Sequence, residues 1–340
     1  EKLLPGHALV VERGRVTDHE YWDVPLDRTE THSETEWTEI VRDKLLESVR
    51  MRLVSDVPLG AFLSGGIDSS AIVAAMARFS DRPVKTYSIG FEGPDQFYNE
   101  LPYARVVAKA FGTEHHQIVV RPEVAGLLPR PIWHMDEPIA DSAFVTTYLV
   151  SRLARQSVTV ILSGVGGDEL FGGYRRYLGD ALGRYYQLLP RALRTRWLPS
   201  LLARMPQDRH SALDNYVRYA SAFVGAAELP PAERYLRYVA VFTPGVQSAL
   251  LSRSANGGGV PSSSRVLQQY FERSRTAPAL NRLAYVDIKT SLADDLLLLT
   301  DKMTMAASIE CRAPFMDHQL VELSARMPDG LRIRGLPLAL

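Results

Sequence analysis

One cysteine, Cys311, stands among 340 residues. That excludes an internal disulfide, a paired-thiol redox motif and a cysteine-based zinc cluster, and it fits a reducing, cytoplasmic compartment. No run approaches the ~18 consecutive apolar residues of a bilayer-spanning helix, and no basic-then-apolar leader follows Glu1, so neither insertion nor export is expected. Net charge is missing as well. Thirty-nine basic residues balance 39 acidic ones, so no global field draws the chain to nucleic acid or to an anionic membrane, and small molecules are the expected partners. Lysine is scarce, occurring only at positions 2, 44, 85, 109, 289 and 302. Arginine-rich helices are therefore mostly a compositional habit. What is present is apolar material: 46% hydrophobic against 23% charged residues, enough for a large core in about two domains or one α/β unit with appendages. The start at Glu1 without a methionine and the apolar ending Pro337-Leu338-Ala339-Leu340 read as two cut ends.

Residues 8–12 and 16–22 are β-type runs around Arg13-Gly14-Arg15, the pattern of a hairpin. Ser33 and Glu36 form a capping box, after which Trp37, Ile40, Val41, Leu45, Val49 and Leu53 recur at helical spacing. Then an alternation sets in. Strand 59–63 leads through Ser64-Gly65-Gly66 into a helix over 68–79; strand 84–91, a helix over 102–111 stopped by Gly112, and strand 115–120 follow. After a proline-rich connection come a helix over 144–155 and strand 158–162, which opens into Ser163-Gly164-Val165-Gly166-Gly167-Asp168-Glu169. Apolar strands alternating with helices specify a doubly wound parallel sheet. Beyond Tyr174 the chain becomes largely helical, with a flexible loop expected over 254–264.

Ligands of such sheets bind at the carboxyl ends of the strands, where two glycine-rich turns each carry serine and aspartate. In Ser64-Gly65-Gly66-Ile67-Asp68-Ser69-Ser70 the glycines let the backbone approach an anion, while amides and hydroxyls at the helix start donate to its oxygens. The turn has no lysine and not the spacing of a P-loop. Asp68 would repel a phosphate unless a cation lay between them. Asp168, ending the other strand, supplies a second carboxylate for a shared Mg2+. Either turn alone also reads as a tight strand-to-helix connection with an aspartate cap; the pair after two apolar strands favours the nucleotide site.

Leu63-Ser64-Gly65-Gly66-Ile67-Asp68-Ser69-Ser70 resembles the pyrophosphate loop of the N-type ATP pyrophosphatases. The run Leu162 to Tyr174, with Asp301-Lys302-Met303-Thr304-Met305 and Glu310-Cys311-Arg312-Ala313-Pro314-Phe315-Met316-Asp317, is similar to the synthetase domain of glutamine-dependent asparagine synthetases. The resemblance implies an adenine nucleotide alpha hydrolase-like fold, with residues 1–30 as the tail of an N-terminal glutaminase domain and 31–340 as a synthetase-type domain cut short at its C-terminus. It implies ATP and Mg2+ as cofactors, AMP held by backbone around Leu63, Ile89, Ser163 and Gly164, and pyrophosphate gripped by Ser64, Gly65, Gly66, Asp68, Ser69 and Ser70. Asp68 and Asp168 would bind the metal; Asp168, Glu169 and Lys302 would be catalytic; Gly166, Gly167 and Asp136 would meet the substrate. In this family the side-chain carboxylate of aspartate is adenylated with release of pyrophosphate, and ammonia from glutamine displaces AMP to give asparagine. Cys311 is not the N-terminal nucleophile of the glutaminase, so this piece alone should use free ammonia. A homodimer is compatible with the family, and a family lysine should lie beyond Leu340.

Val165 departs from the pattern, since many asparagine synthetases carry glutamate there; Glu169 or Glu137 would then take the proton from ammonia. The departure keeps two alternatives open: a relative acting on another carboxylate in a β-lactam, lasso-peptide or polysaccharide pathway, and a non-catalytic ATP-binding module. Among weaker signals, His115 and His116 lie on opposite faces of a strand and do not share a metal. Arg175, Arg176, Arg184, Arg191, Arg194 and Arg196 read as a solvated helix face rather than a nucleic-acid site. Asp136-Glu137-Pro138 and Asp141-Ser142 read as a loop and an N-cap, with a lip of the site and a helix turn meeting a substrate carboxylate as the alternative, and neither Ser64 nor Ser163 has the spacing of a hydrolase nucleophile.

Overall fold

The computed structural model describes residues 2–26, 29–92, 99–120, 125–205, 212–242, 244–250 and 263–333. They fall into two compact units, Glu1–Phe171 with Asp287–Leu331, and Gly172–Val286 with Arg332–Leu340. The first unit opens with the hairpin β1 (His7–Glu12) and β2 (Arg15–Glu20), paired antiparallel. Arg13 and Gly14 both have positive φ, 51° and 77°, as a two-residue turn matched to strand twist requires. Helix α1 (Glu34–Arg52) starts at the expected capping box, in which the Ser33 side chain accepts from the Glu36 amide and the Glu36 side chain from the Ser33 amide.

Five parallel strands follow: β3 (Leu59–Phe62), β4 (Lys85–Phe91), β5 (Glu114–Val120), β6 (Val160–Leu162) and β7 (Glu310–Arg312), in spatial order β5-β4-β3-β6-β7. From β3 the chain winds outward through α2 (Ile67–Phe79) and α3 (Leu101–Phe111), then returns through α4 (Pro129–Met135) and α5 (Ala143–Ala154) to lay β6 on the other side of β3. Both directions of winding are therefore present. Helices α1, α2 and α3 pack in succession on one face, while α5 and the helix Leu298–Met305 pack on the other. Tyr87, Val150, Ala154, Val158, Ile161 and Ile309 form one core cluster there, and Met135, Tyr148, Leu299 and Met303 another. The β3–β6 boundary, where the winding reverses, is the topological switch point at which an open parallel sheet leaves a crevice.

The structure differs from the sequence expectation in several places, helix α4 within the proline-rich connection among them. Strand β6 begins at Val160, two residues late; a fifth strand, β7, lies in a stretch whose charged ends gave no β signal; and Ile288–Leu297 is wound as a π-helix. Of the loop expected over 254–264, residues 254–262 lie outside the described residues, and Ser263 and Ser264 instead open the helix Ser263–Arg273.

The second unit is helical, as expected. Its core gathers Tyr177, Ala232, Tyr235, Leu267, Phe271, Leu280, Leu283 and Val286. Its arginines work on aromatic faces: Arg176 lies 3.7 Å from the ring centroid of Tyr174, and Arg175 lies 4.5 Å from that of Tyr219.

In the first unit a buried polar clamp ties α1 to the segment after β7. Ser48, fully buried, donates to the Pro314 carbonyl at 2.7 Å and accepts from Arg52 at 2.8 Å; Arg52 also pairs with Asp317 at 3.1 Å. Arg312 donates to the Arg52 and Val54 carbonyls, each at 2.8 Å. Ser48→Ala leaves the buried Pro314 carbonyl without this donor and is expected to lower stability by about 1–3 kcal/mol. Urea unfolding measures it, and an unchanged midpoint would show that the clamp contributes nothing.

Candidate active site

Every feature of the crevice starts from the two strand ends. Leu63 continues β3, its amide donating to the Tyr87 carbonyl at 2.9 Å, while the buried Ser88 hydroxyl donates to the Leu63 carbonyl. Gly65 then turns with φ of 87°, and a Cβ there would stand 2.5 Å from the Ala104 amide nitrogen of α3, so both conformation and space demand glycine. Ser64 and Ser69 bond through their hydroxyls at 3.0 Å, the Gly66 amide donates to Ser64 Oγ at 3.2 Å, and Ser70 Oγ donates to the Gly66 carbonyl at 2.7 Å. Gly66 caps α2 without a side-chain hydrogen bond of its own. The loop is thus held by its serines, with exposed backbone at the helix start.

The β6 loop is anchored from β7, the Ser163 amide donating to the Arg312 carbonyl at 2.9 Å. Gly166 has φ of 98°, and a Cβ on it would come within 2.5 Å of the Met316 Cε. Gly164 and Gly167 face the first loop: a Cβ on Gly164 would stand 2.8 Å from the Ser69 amide nitrogen, and one on Gly167 would stand 2.3 Å from the Asp68 carboxyl carbon. The two turns therefore meet. Asp68, partly buried, has its carboxyl pushed up to about 6, first by desolvation and then by the negative charge of Asp168. Glycine at 164 and 167 is what lets the loops come this close.

Asp168 and the buried Glu169 lie in the short helix α6 (Gly167–Phe171). Ile89 lies near the carboxyl end of β4, the neighbour of β3. Lys302, in the helix Leu298–Met305, is ion-paired with Asp136, which raises its pKa. Asp136 caps the end of α4 with a left-handed backbone, φ 61°. Glu137 is held by Lys2 at 2.6 Å, whereas Asp141 accepts from the Ala143 amide at 2.8 Å and starts α5. Val165 is half-buried in the β6 loop with its amide donating to Ser163 Oγ at 3.3 Å. Burial pushes the Cys311 thiol up to about 12, which keeps it protonated at neutral pH. His115 bonds Thr86 at 3.0 Å and His116 stacks on Tyr87, so both histidines are structural. Ser88, Ser48 and Arg52 carry no signal in the sequence, and Met316 and Asp317 stand in the family-like run without a role assigned to them. Nothing in hydrophobic period or spacing marks them.

Two oxygen donors without histidine or cysteine suit Mg2+. Among the described residues no group of three or more metal-ligating side chains exists, so the remaining ligands of such an ion would be phosphate oxygens and water, its usual habit beside nucleotides. The donor chemistry and the glycine-lined cradle fit that ion.

Residues 40–337 match the family model for asparagine synthase. The chain belongs to the asparagine synthase family. It is similar to asparagine synthetase (glutamine-hydrolyzing) 1 of Bacillus subtilis strain 168, 34% identical over 337 residues that cover 98% of this chain and 51% of that protein. A putative asparagine synthetase (glutamine-hydrolyzing) of Mycobacterium tuberculosis H37Rv is 34% identical over 292 residues, 85% of this chain and 42% of that protein. Amidase chry2 of Gibberella zeae is 26% identical over 370 residues, covering 98% and 53%. This asparagine synthase-family chain spans about half the length of the curated relatives it matches. No helix among its described residues is long and apolar enough to cross a membrane.

The raised Asp68 carboxyl has a measurable consequence. An unfolded aspartate ionises near pH 4, so between about pH 4 and 6 the folded state holds a proton that the unfolded state has lost. Stability from this group therefore falls as pH rises through that window and stays reduced above it. Asp68→Asn is expected to stabilise the protein, free of divalent ion and nucleotide, by on the order of 1 kcal/mol at about pH 7.5, after allowance for solvent screening. The gain should vanish towards pH 4. Thermal unfolding at the two pH values measures it, and equal or lower stability of the variant at neutral pH contradicts the apposition.

Proposed function

We propose that this chain is the amide-forming half of an ATP-dependent, AMP-forming ligase that converts aspartate to asparagine with ammonia drawn from glutamine in the full-length protein. The observation that carries the reading is the apposition of Asp68 and Asp168 at the switch point of the sheet, supported by family membership. ATP would lie across the crevice. Backbone of Leu63, Ile89, Ser163 and Gly164 would take its AMP part, and Ser64, Gly65, Gly66, Asp68, Ser69 and Ser70 its β and γ phosphates. Mg2+ held by Asp68 and Asp168 would supply neutralisation of charge on the departing pyrophosphate.

A carboxylate is a poor acyl donor because its leaving group would be oxide. One oxygen of the aspartate side chain forms a bond to the α-phosphorus, the bond to the β-phosphate oxygen breaks, and pyrophosphate leaves with the electron pair. The β-aspartyl-AMP so formed has a good leaving group. Ammonia adds through its lone pair to the acyl carbon, AMP departs, and the surplus proton passes to a base. Glu169 serves that role in the absence of an acid at Val165, while the exposed backbone at the start of α2 favours the expelled anion. Gly166, Gly167 and Asp136 would line the acceptor's position, with Lys302 held beside it by Asp136. The half-buried, protonated Cys311 leaves the glutamine chemistry to the remainder of the full-length protein, and a cytoplasmic location fits its reduced state.

Full-length protein given ATP, Mg2+, glutamine or ammonia, and aspartate should yield AMP, pyrophosphate and asparagine in equal amounts. Asp68→Asn and Asp168→Asn should each slow pyrophosphate release about 100-fold or more. Mass spectrometry of the products decides: ADP with phosphate would refute the reading, and AMP-coupled amidation of a competing acid alone would move it to another acceptor.

A further inference from the structure

No residue of the arginine-rich stretch of the second unit is among those assigned to the site. Between Ala181 and Met205 the sequence holds Arg184, Arg191, Arg194, Arg196 and Arg204 but neither aspartate nor glutamate. Residues 191–202 are helical, wound as a π-helix over Leu193–Trp197 and as an α-helix over Leu198–Leu202, and Leu193, Trp197 and Leu201 recur on it every four residues, close to one turn of either. All three face solvent, Trp197 at 69% and Leu201 at 58% of full exposure; Leu188 in the preceding turn reaches 81%. Arg191, Arg196 and Arg204 are exposed on the same segment, while Arg194 is paired with Glu228. Isolated surface leucines need no explanation, but an outward apolar stripe on a segment whose own charges are all positive does.

The charge pattern selects what covers this face. A second copy docked on the same patch would set arginines against arginines. Leu188 and Trp197 leave most of their surface to solvent, and a soft surface that such side chains can enter is the complement that suits them. An anionic bilayer supplies both needs: indole and leucine side chains settle at the headgroup boundary, and guanidinium groups pair with lipid phosphates. Zero net charge does not oppose this, because the field that matters is local, and surface attachment requires no spanning helix.

We propose that the face formed by Leu188, Leu193, Trp197 and Leu201 with Arg191, Arg196 and Arg204 docks the protein peripherally on anionic phospholipid. Full-length protein is sedimented with vesicles of phosphatidylcholine alone and with vesicles in which about a third of the lipid is phosphatidylglycerol. Binding is expected to the second kind only. It should weaken about tenfold or more in an Arg191→Gln/Arg196→Gln/Arg204→Gln variant and in a Trp197→Ser/Leu201→Ser variant, and again as salt is raised. Pyrophosphate release without vesicles should be unchanged in both. In the unaltered protein, vesicles should shift tryptophan emission to the blue, and Trp197→Phe should remove that shift while still binding. No binding to the anionic vesicles, or undiminished binding by both variants, overturns the proposal. So does a stable dimer that the same variants dissociate without any lipid affinity, which would give the face to a second copy.

Discussion

Two carboxylates of like charge held together at the end of a sheet oppose each other's ionisation, and the structure around Asp68 and Asp168 is arranged so that they meet nonetheless. The doubly wound topology supplies the place: β3 and β6 are neighbours in space but separated by two outward turns of the chain and one return. Their loops emerge side by side with nothing covalent between them. Glycine at 164 and 167 supplies the closeness, because a methyl at 164 would collide with the Ser69 amide and one at 167 with the Asp68 carboxyl. The cost of the apposition in a metal-free molecule is the raised Asp68 carboxyl. On the proposed reading, a divalent ion with a polyphosphate would remove that cost, so that binding and relief of repulsion would become one event.

Support for this geometry comes from further out. Met316 closes over Gly166, the Arg312 carbonyl holds Ser163, and α1 grips the Pro314–Asp317 segment through Ser48 and Arg52. The β6 loop is therefore braced by residues more than a hundred positions later in sequence. A site assembled on strand ends with such bracing is more exactingly placed than one built on a free loop.

Much of this was legible in the sequence. Leu59 to Leu63 and, but for Thr159, Val158 to Leu162 are apolar, the pattern of strands covered on both faces, and the glycine–serine–aspartate turns after them point to their own chemistry. The Ser33 box and the Gly112 stop appear where expected because capping is a local matter of a few residues. What stayed hidden was non-local. Glu310-Cys311-Arg312 becomes a strand only because β6 offers an open edge, and the return of Asp287–Leu331 to the first unit leaves no mark in composition. Lys302 and Asp136 were picked out separately, but their pairing across 166 positions is a product of the fold.

The arginine-rich face shows the converse: a signal present in sequence that gains meaning only when the structure places its apolar partners in solvent. The central claim concerns the two aspartates and is tested most directly by Mn2+ binding to full-length protein, followed by electron paramagnetic resonance, with an ATP analogue that resists cleavage between the α and β phosphates. If the carboxylates share one ion, Asp68→Asn and Asp168→Asn each weaken Mn2+ binding by about tenfold or more, and the double variant loses little beyond either single one. Unchanged affinity in the single variants, or losses that simply add, would contradict a shared ion.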